Sequence, residues 1–188
     1  ESTIELYNTI LKHKVYMVEE FEILCDVSAK LRSALHMLEG GVAKGTEMVL
    51  NSKDEPVPKP LYFVLPNREK IDFILEHFGD NENVAIMYNY IAEGMKLNNA
   101  FKHAKILQAT SYAEGIDLHK TEHLIIYSQD FSTARHTQRR ARQANLFREL
   151  PITVHYLLVH KGISSEVYKT VSINKVNYVD CLFEREEL

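Results

Sequence analysis

Residues 122–159 read "EHLIIYSQDFSTARHTQRRARQANLFRELPITVHYLLV". An apolar, β-rich run opens the stretch and another closes it. Between them "STARHTQRRARQAN", 132–145, reads as a helix, with Ser132 as the candidate N-cap. Strand, helix and strand at this spacing form the repeating unit of an open α/β sheet.

The same alternation extends toward the N-terminus. "NREKIDFILEHF" has helical period, with Asn67 as candidate N-cap. "NVAIMYNY" and "AKILQAT" are short continuous apolar runs. Such runs suit strands buried on both faces, as in a parallel sheet. "SSEVYKTVSINKVNYVDCLF" predicts a closing helix. Ligands of open α/β sheets gather at the carboxyl ends of the strands. Chemistry is therefore expected in the loops after Tyr90, Thr110 and Ser128.

Further upstream, residues 18–41 place Phe21, Leu24, Cys25, Val27, Leu31, Leu35 and Leu38 at helical spacing, which predicts one long amphipathic helix stopped by Gly40–Gly41. "EMVL" and "LYFVL" flank the polar, Pro-rich "NSKDEPVPKP", the pattern of a hairpin or extended loop. The expected organisation is a helical lead-in with a hairpin over 1–66 and an α/β domain over 67–188.

The chain has 188 residues, 45% hydrophobic and 26% charged, with net charge −4. That is ordinary globular composition, long enough for a real core. No apolar run approaches the roughly 20 residues of a membrane span, so no membrane partner is expected. The start, "ESTIELYNTI", lacks a signal-peptide pattern. Beginning at Glu1 rather than Met suggests a fragment or processed chain. Cys25 and Cys181 lie far apart in apolar surroundings and read as buried, reduced thiols.

"GGVAKGTE", 40–47, has Lys-Gly-Thr where a phosphate-cradling P-loop requires Gly-Lys-Ser/Thr opening a helix. No Asp-Glu pair ends an apolar strand. The chain by itself is therefore not expected to hydrolyse a nucleotide. His119 and His123 have H-x-x-x-H spacing but straddle a loop and a strand start, so no metal site is assigned. In "QATSYAEGIDLHKTEHLIIYS", 108–128, Gly115 could let backbone approach a ligand closely. Four arginines fall between Arg135 and Arg142 in a chain of negative net charge. On a helix, Arg135, Gln138 or Arg139, and Arg142 fall near one face. Arginine rather than lysine suits planar, bidentate phosphate recognition, on a nucleic-acid backbone or a nucleotide's terminal phosphate.

Taken in order, these pieces resemble the second RecA-like domain of superfamily-two helicases, in the Swi/Snf-type branch and its phage-type members. Motif VI of that branch reads Q-x-x-G-R-x-x-R-x-G-Q-x-x-P-V-x-V-Y. Gln138, Arg142, Pro151 and Val154 fall on this frame, and "HKGISSEVY" matches the stretch that follows. "TSYAEGIDL" looks like motif V and "VAIMYNY" like motif IV. "SAKLRSALHMLEGGV" is similar to the helix and glycine turn that precede the domain. Ala141 replaces the usual glycine, Asn145 stands at the second arginine position, and Phe147–Arg148 replace the Gly-Gln pair. A frame slid by three would pair Arg139 with Arg142.

The resemblance implies a RecA-like three-layer domain with a mainly parallel sheet. It implies the C-terminal half of a cytoplasmic, ATP-dependent DNA helicase or translocase of a bacterial or phage-infected cell. ATP and Mg would be held mainly by the chain's own N-terminal RecA-like domain. Arg142 would be the arginine finger, with Arg139 as helper. Gln138, Gly115 and Asp117 would line the nucleotide. Thr110, Tyr88 and Asn89 would face DNA, bound without sequence preference. The other reading is a non-catalytic RecA-like module that holds nucleic acid or protein.

Overall fold

The computed structural model describes residues 3–110, 118, 120–134 and 151–179. The chain opens with α1 (Thr3–His13), a small hairpin of β1 (Val15–Val18) and β2 (Phe21–Leu24), and α2 (Ser28–Glu39). A second antiparallel hairpin, β3 (Val42–Leu50) and β4 (Pro56–Val64), follows. Then come α3 (Glu69–His77), β5 (Val84–Tyr88), α4 (Ile91–Ala100), β6 (Lys105–Gln108), β7 (His123–Ile126) and β8 (Thr153–Tyr156). The last element is α5 (Ile163–Val167), continued by a π-helical segment, Tyr168–Ile173.

The helix expected over 18–41 is confined to α2. Tyr16, Val18 and Ile23 are buried while Met17, Glu22 and Leu24 are exposed, the period of two that a strand imposes. Lys14 and Glu19 have φ of 58° and 56°, which interrupts helix on either side of β1. Phe21 and Leu24, three residues apart, share a face only in a helix; paired with β1 they fall on opposite faces of the strand, and Leu24 is exposed. The Gly40–Gly41 stop is as read: Gly40 and Gly41 N–H groups donate to Met37 and Leu38 carbonyls at 3.0 and 2.8 Å, and Gly41 has φ +71°.

The hairpin over 42–64 forms with Val42 opposite Val64 and Leu50 opposite Pro56. At its tip Asn51 Oδ1 accepts the N–H groups of Lys53 and Glu55 at 2.8 and 3.0 Å. Asn67 does not cap α3. The N-cap position is Arg68, without a side-chain cap bond. The Asn67 carbonyl is instead taken by Lys96, whose Nζ also donates to Gly41 O and Leu65 O at 2.9 and 3.0 Å. The closing helix is shorter than read: its helical run ends at Ile173, and Lys175 has φ 60°.

The second half is α/β, with a four-stranded, wholly parallel sheet in the order β6-β5-β7-β8, flanked by helices. All four strands fall on the apolar runs identified in the sequence. Val84, Ile86 and Ile125 pack on one face with Ile71 and Ile74 of α3, Leu97 of α4 and Phe101. Ala85, Leu107, Leu124 and Ile126 form the opposite cluster. A third cluster joins Ile10, Leu31, Leu35 and Phe63 to Ile163, Val167, Val171 and Tyr178. The closing helix therefore shares its core with the lead-in, and packing continues across residue 66. Cys25 is buried and free. No helix among the described residues is long and apolar enough to cross a membrane.

Candidate functional site

Because β5, β6 and β7 are parallel neighbours, their carboxyl ends meet at one edge. Ala109 N–H donates to Tyr88 O at 2.8 Å, and Tyr127 N–H to Met87 O at 2.9 Å. Asn89 N–H donates to Ser128 Oγ at 2.9 Å. Tyr88, Asn89 and Thr110, singled out from the sequence, are thus brought together with Ser128. Thr110 is exposed; Tyr88 and Asn89 are half-buried. The Tyr88 phenol lies over Gly94 of α4 so closely that a Cβ there would collide with it.

Gly115, Asp117, Gln138, Arg139 and Arg142 lie outside the described residues. The strands on either side of their segments are described. Residues 111–117 follow β6. The arginine-bearing segment leaves the carboxyl end of β7 and returns to the amino end of β8. Its first residues, 133–134, are helical. Thr133 donates from both N–H and Oγ1 to Asn177 Oδ1, each at 2.9 Å, and Ser132 N–H donates to Asp130 Oδ1 at 2.9 Å.

Beneath this edge lies a polar cluster that the sequence reading missed. Glu93 is 0% exposed, and one oxygen accepts from Asn89 N–H, Tyr90 N–H and Ser128 Oγ at 3.1, 3.0 and 2.5 Å. Burial raises its carboxyl pKa, opposed by the Ser128 hydroxyl and the Tyr90 N–H. Lys70 donates to Tyr127 O at 2.9 Å, and Tyr127 Oη donates to Gly40 O at 2.8 Å. His36, fully buried, has Nδ1 3.0 Å from Tyr90 Oη. Burial pushes its imidazole down to about 3, with the Lys70 charge adding to the effect. Burial likewise raises the Glu39 carboxyl.

This arrangement ties the β5 and β7 loops into one unit and fixes their backbone groups at the edge. The available sequence signal was Glu93 three residues after Tyr90, the spacing at which a first-turn glutamate reaches back to the N-cap N–H. Among the described residues no group of three or more His, Cys, Asp or Glu could hold a metal ion. His123 meets His155 across β7 and β8, with Nδ1 and Nε2 3.1 Å apart, whereas His119 lies outside the described residues.

No family model and no curated protein matches the sequence. Among solved structures, the chain is similar to the C-terminal part of the Fun30 ATPase domain, at 12% identity and a TM-score of 0.45. The alignment covers 64% of this chain and 49% of that one, so the chain spans about half the length of this neighbour.

Proposed function

We propose that this chain is the second RecA-like domain of an ATP-dependent DNA helicase or translocase of the Swi/Snf-type branch. The carrying observation is that "QRRAR", 138–142, lies on the connection between adjacent parallel strands, β7 and β8, with "PITV" leading into β8. The connection departs from the carboxyl edge, where an open α/β sheet receives ligands.

In this reading a first RecA-like domain holds ATP and Mg. Arg142 reaches the γ-phosphate and stabilises the charge that builds there during transfer, with Arg139 assisting. Gln138, Gly115 and Asp117 line the nucleotide. Thr110, Tyr88 and Asn89 face the DNA backbone, and the Glu93 clamp holds the loop that carries Asn89. Sequence-independent binding follows from backbone contacts.

The test is turnover and ATP affinity of the chain joined to its first domain. Arg142→Ala should lower kcat by roughly 10³-fold or more while ATP affinity, set mainly by the first domain, changes little. Arg142→Lys should restore little, because an ammonium lacks the planar fork. Arg139→Ala should cost about tenfold or less, near 1.4 kcal/mol of barrier. Near-wild-type turnover in Arg142→Ala beside a dead Arg139→Ala would show the motif frame to be displaced. Tight, sequence-selective DNA binding by the chain alone at physiological salt would favour a dedicated binding module instead.

A further inference from the structure

β8 ends at Tyr156, and the chain leaves it at the same end of the sheet as the loops after β5, β6 and β7, because all four strands are parallel. In the strand order β6-β5-β7-β8, the loops bearing Thr110, Asn89 and Ser128 come first and the loop after β8 comes last. Neighbouring strands lie about 4.8 Å apart, so the four strand ends span only about 14 Å. The loop after β8 and the end of α1 enclose a groove of about 800 Å³. Lys12, Lys14, Lys161 and Lys169 line it, and among the described lining residues the one carboxylate is Glu166.

The chain carries a net charge of −4, so this gathering of cations is local. It is also assembled from separate places: Lys12 and Lys14 from the end of α1, Lys161 from the loop after β8, and Lys169 from the π-helical segment. Lys12, Lys161 and Lys169 are exposed. Lys14 and Lys161 both have φ 58°, in the left-handed region where glycine is the ordinary occupant. Lys14 directly follows α1, and its N–H donates to Ile10 O at 2.9 Å, at a helix-ending position that glycine usually holds. Lys169 lies in a π-helical turn, a rare form that recurs at functional sites. Three of the four lysines thus sit on backbone of uncommon conformation, and such backbone clusters where a protein engages a ligand. A groove lined by one sign of charge concentrates ions of the other.

Lysine offers a point charge without the planar fork of arginine, so these side chains take phosphate without selecting what it is attached to. Exposed cations spread along a groove suit a repeating chain of phosphates better than one small anion. A concave groove admits such a chain, whereas the flat surface of a bilayer does not enter it. We propose that the groove binds the sugar–phosphate backbone of a nucleic-acid strand, extending beyond β8 the path proposed for Thr110, Tyr88 and Asn89. The inference rests on the helicase reading only in choosing nucleic acid over other polyanions. It uses none of the residues assigned to that reading.

The test is fluorescence anisotropy of the full chain with labelled oligo-dT of about 12 nucleotides, within the roughly 4–16 that such grooves cover. Binding should be weak and should fall as salt is raised from about 20 to 200 mM. Each phosphate contact on a single strand contributes about 0.7 to the slope of log affinity against log salt. Lys161→Ala with Lys169→Ala should therefore lower that slope by about 1.4 and weaken binding at least tenfold at the lowest salt, with circular dichroism unchanged. Lys161→Arg with Lys169→Arg should retain both slope and affinity. Thr110→Ala, at the strand-end edge, should weaken binding without altering the slope. Loss in the lysine variant with full turnover in Arg142→Ala of the joined chain would sink the motor reading and support the groove. Unchanged slope and affinity in Lys161→Ala with Lys169→Ala would overturn the groove and leave the motor reading standing. No binding of oligo-dT in low salt would overturn the proposal, as would lysine-dependent binding to phosphatidylserine–phosphatidylcholine vesicles in place of oligo-dT.

Discussion

His36 offers a measurement of how the buried cluster is held. The imidazole is 0% exposed, and its rings neighbour Tyr90 and Phe131 at 5.6 and 5.2 Å between centroids. Burial lowers its pKa from 6.5 to about 3. A histidine whose folded pKa is depressed takes its proton more readily in the unfolded chain. Its neutral form supports the fold above about pH 6.5, and that support is lost as pH falls toward 3. Each unit is worth about 1.4 kcal/mol, so moving from pH 7 to pH 5 costs about 2 kcal/mol through this residue. Glu39 and Glu93 act in the opposite sense: their raised carboxyls hold protons more tightly in the fold, so acid favours them. The comparison must therefore be with His36→Asn, which keeps a polar group near the Nδ1 position while removing the titration. Urea unfolding followed by circular dichroism at pH 7, 6 and 5 gives both stabilities. The wild type should lose about 2 kcal/mol relative to the variant between pH 7 and 5. Parallel pH profiles, within about 0.5 kcal/mol, would mean that His36 is hydrated or already charged in the fold, and the reasoning would fail.

Gly94→Ala should destabilise the protein in urea unfolding, although alanine gains about 1 kcal/mol of helix propensity over glycine, because the new Cβ meets the Tyr88 phenol. Tyr88→Ala should then make Gly94→Ala stabilising; a stabilising Gly94→Ala in the wild-type background would show that Tyr88 does not lie over α4. Lys96→Ala should cost about 3 kcal/mol or more by the same assay, since it removes a buried ammonium that donates to the carbonyls of Leu65 and Asn67 as well as to that of Gly41, which keeps the Leu65 N–H; a loss below about 1 kcal/mol would show that water replaces the ammonium easily.

The parallel sheet was legible because its central strands, β5 and β7, are buried on both faces, and the apolar runs stand apart from polar segments with helical period. The hairpin over 42–64 was legible from its polar, Pro-rich tip. β1 and β2 were not, because Phe21, Leu24 and Cys25 recur at helical spacing with the leucines that follow, and only pairing with Val18 and Val15 puts Phe21 and Leu24 on opposite faces of a strand. Asn67 was misread because its side chain suits a cap, while tertiary contacts placed its carbonyl under Lys96. His36, Glu39 and Glu93 were not singled out in the sequence. A polar residue on a helix gives no sign in sequence that a second layer will cover it. Legibility of the candidate site was correspondingly uneven: the strand-end rule pointed to the loops after Tyr90, Thr110 and Ser128, the helicase resemblance named Tyr88, Asn89 and Thr110, and neither pointed to Glu93. The clues present were glycines. Gly40, Gly94 and Gly162 each leave space for a side chain from another element, namely Glu93, Tyr88 and Glu39.

These glycine contacts also explain how the lead-in is fastened to the sheet. Tyr127 Oη bonds the Gly40 carbonyl, Lys96 bonds the Gly41 carbonyl, and His36 meets Tyr90 Oη, so the end of α2 is tied to elements following β5 and β7. Glu93, in turn, ties those same two loops to each other. Arg32 of α2 adds a cation–π contact, 4.7 Å from the Phe131 centroid, just ahead of the arginine-bearing segment. Buried polar bonds of this kind add little net stability individually, but a broken one leaves a desolvated group behind. A shift of α2 against the sheet would have to break several together. Displacement at the strand-end loops is therefore resisted locally and passed to the lead-in as a unit, which is the mechanical property a domain needs if closure on one ligand is to move another.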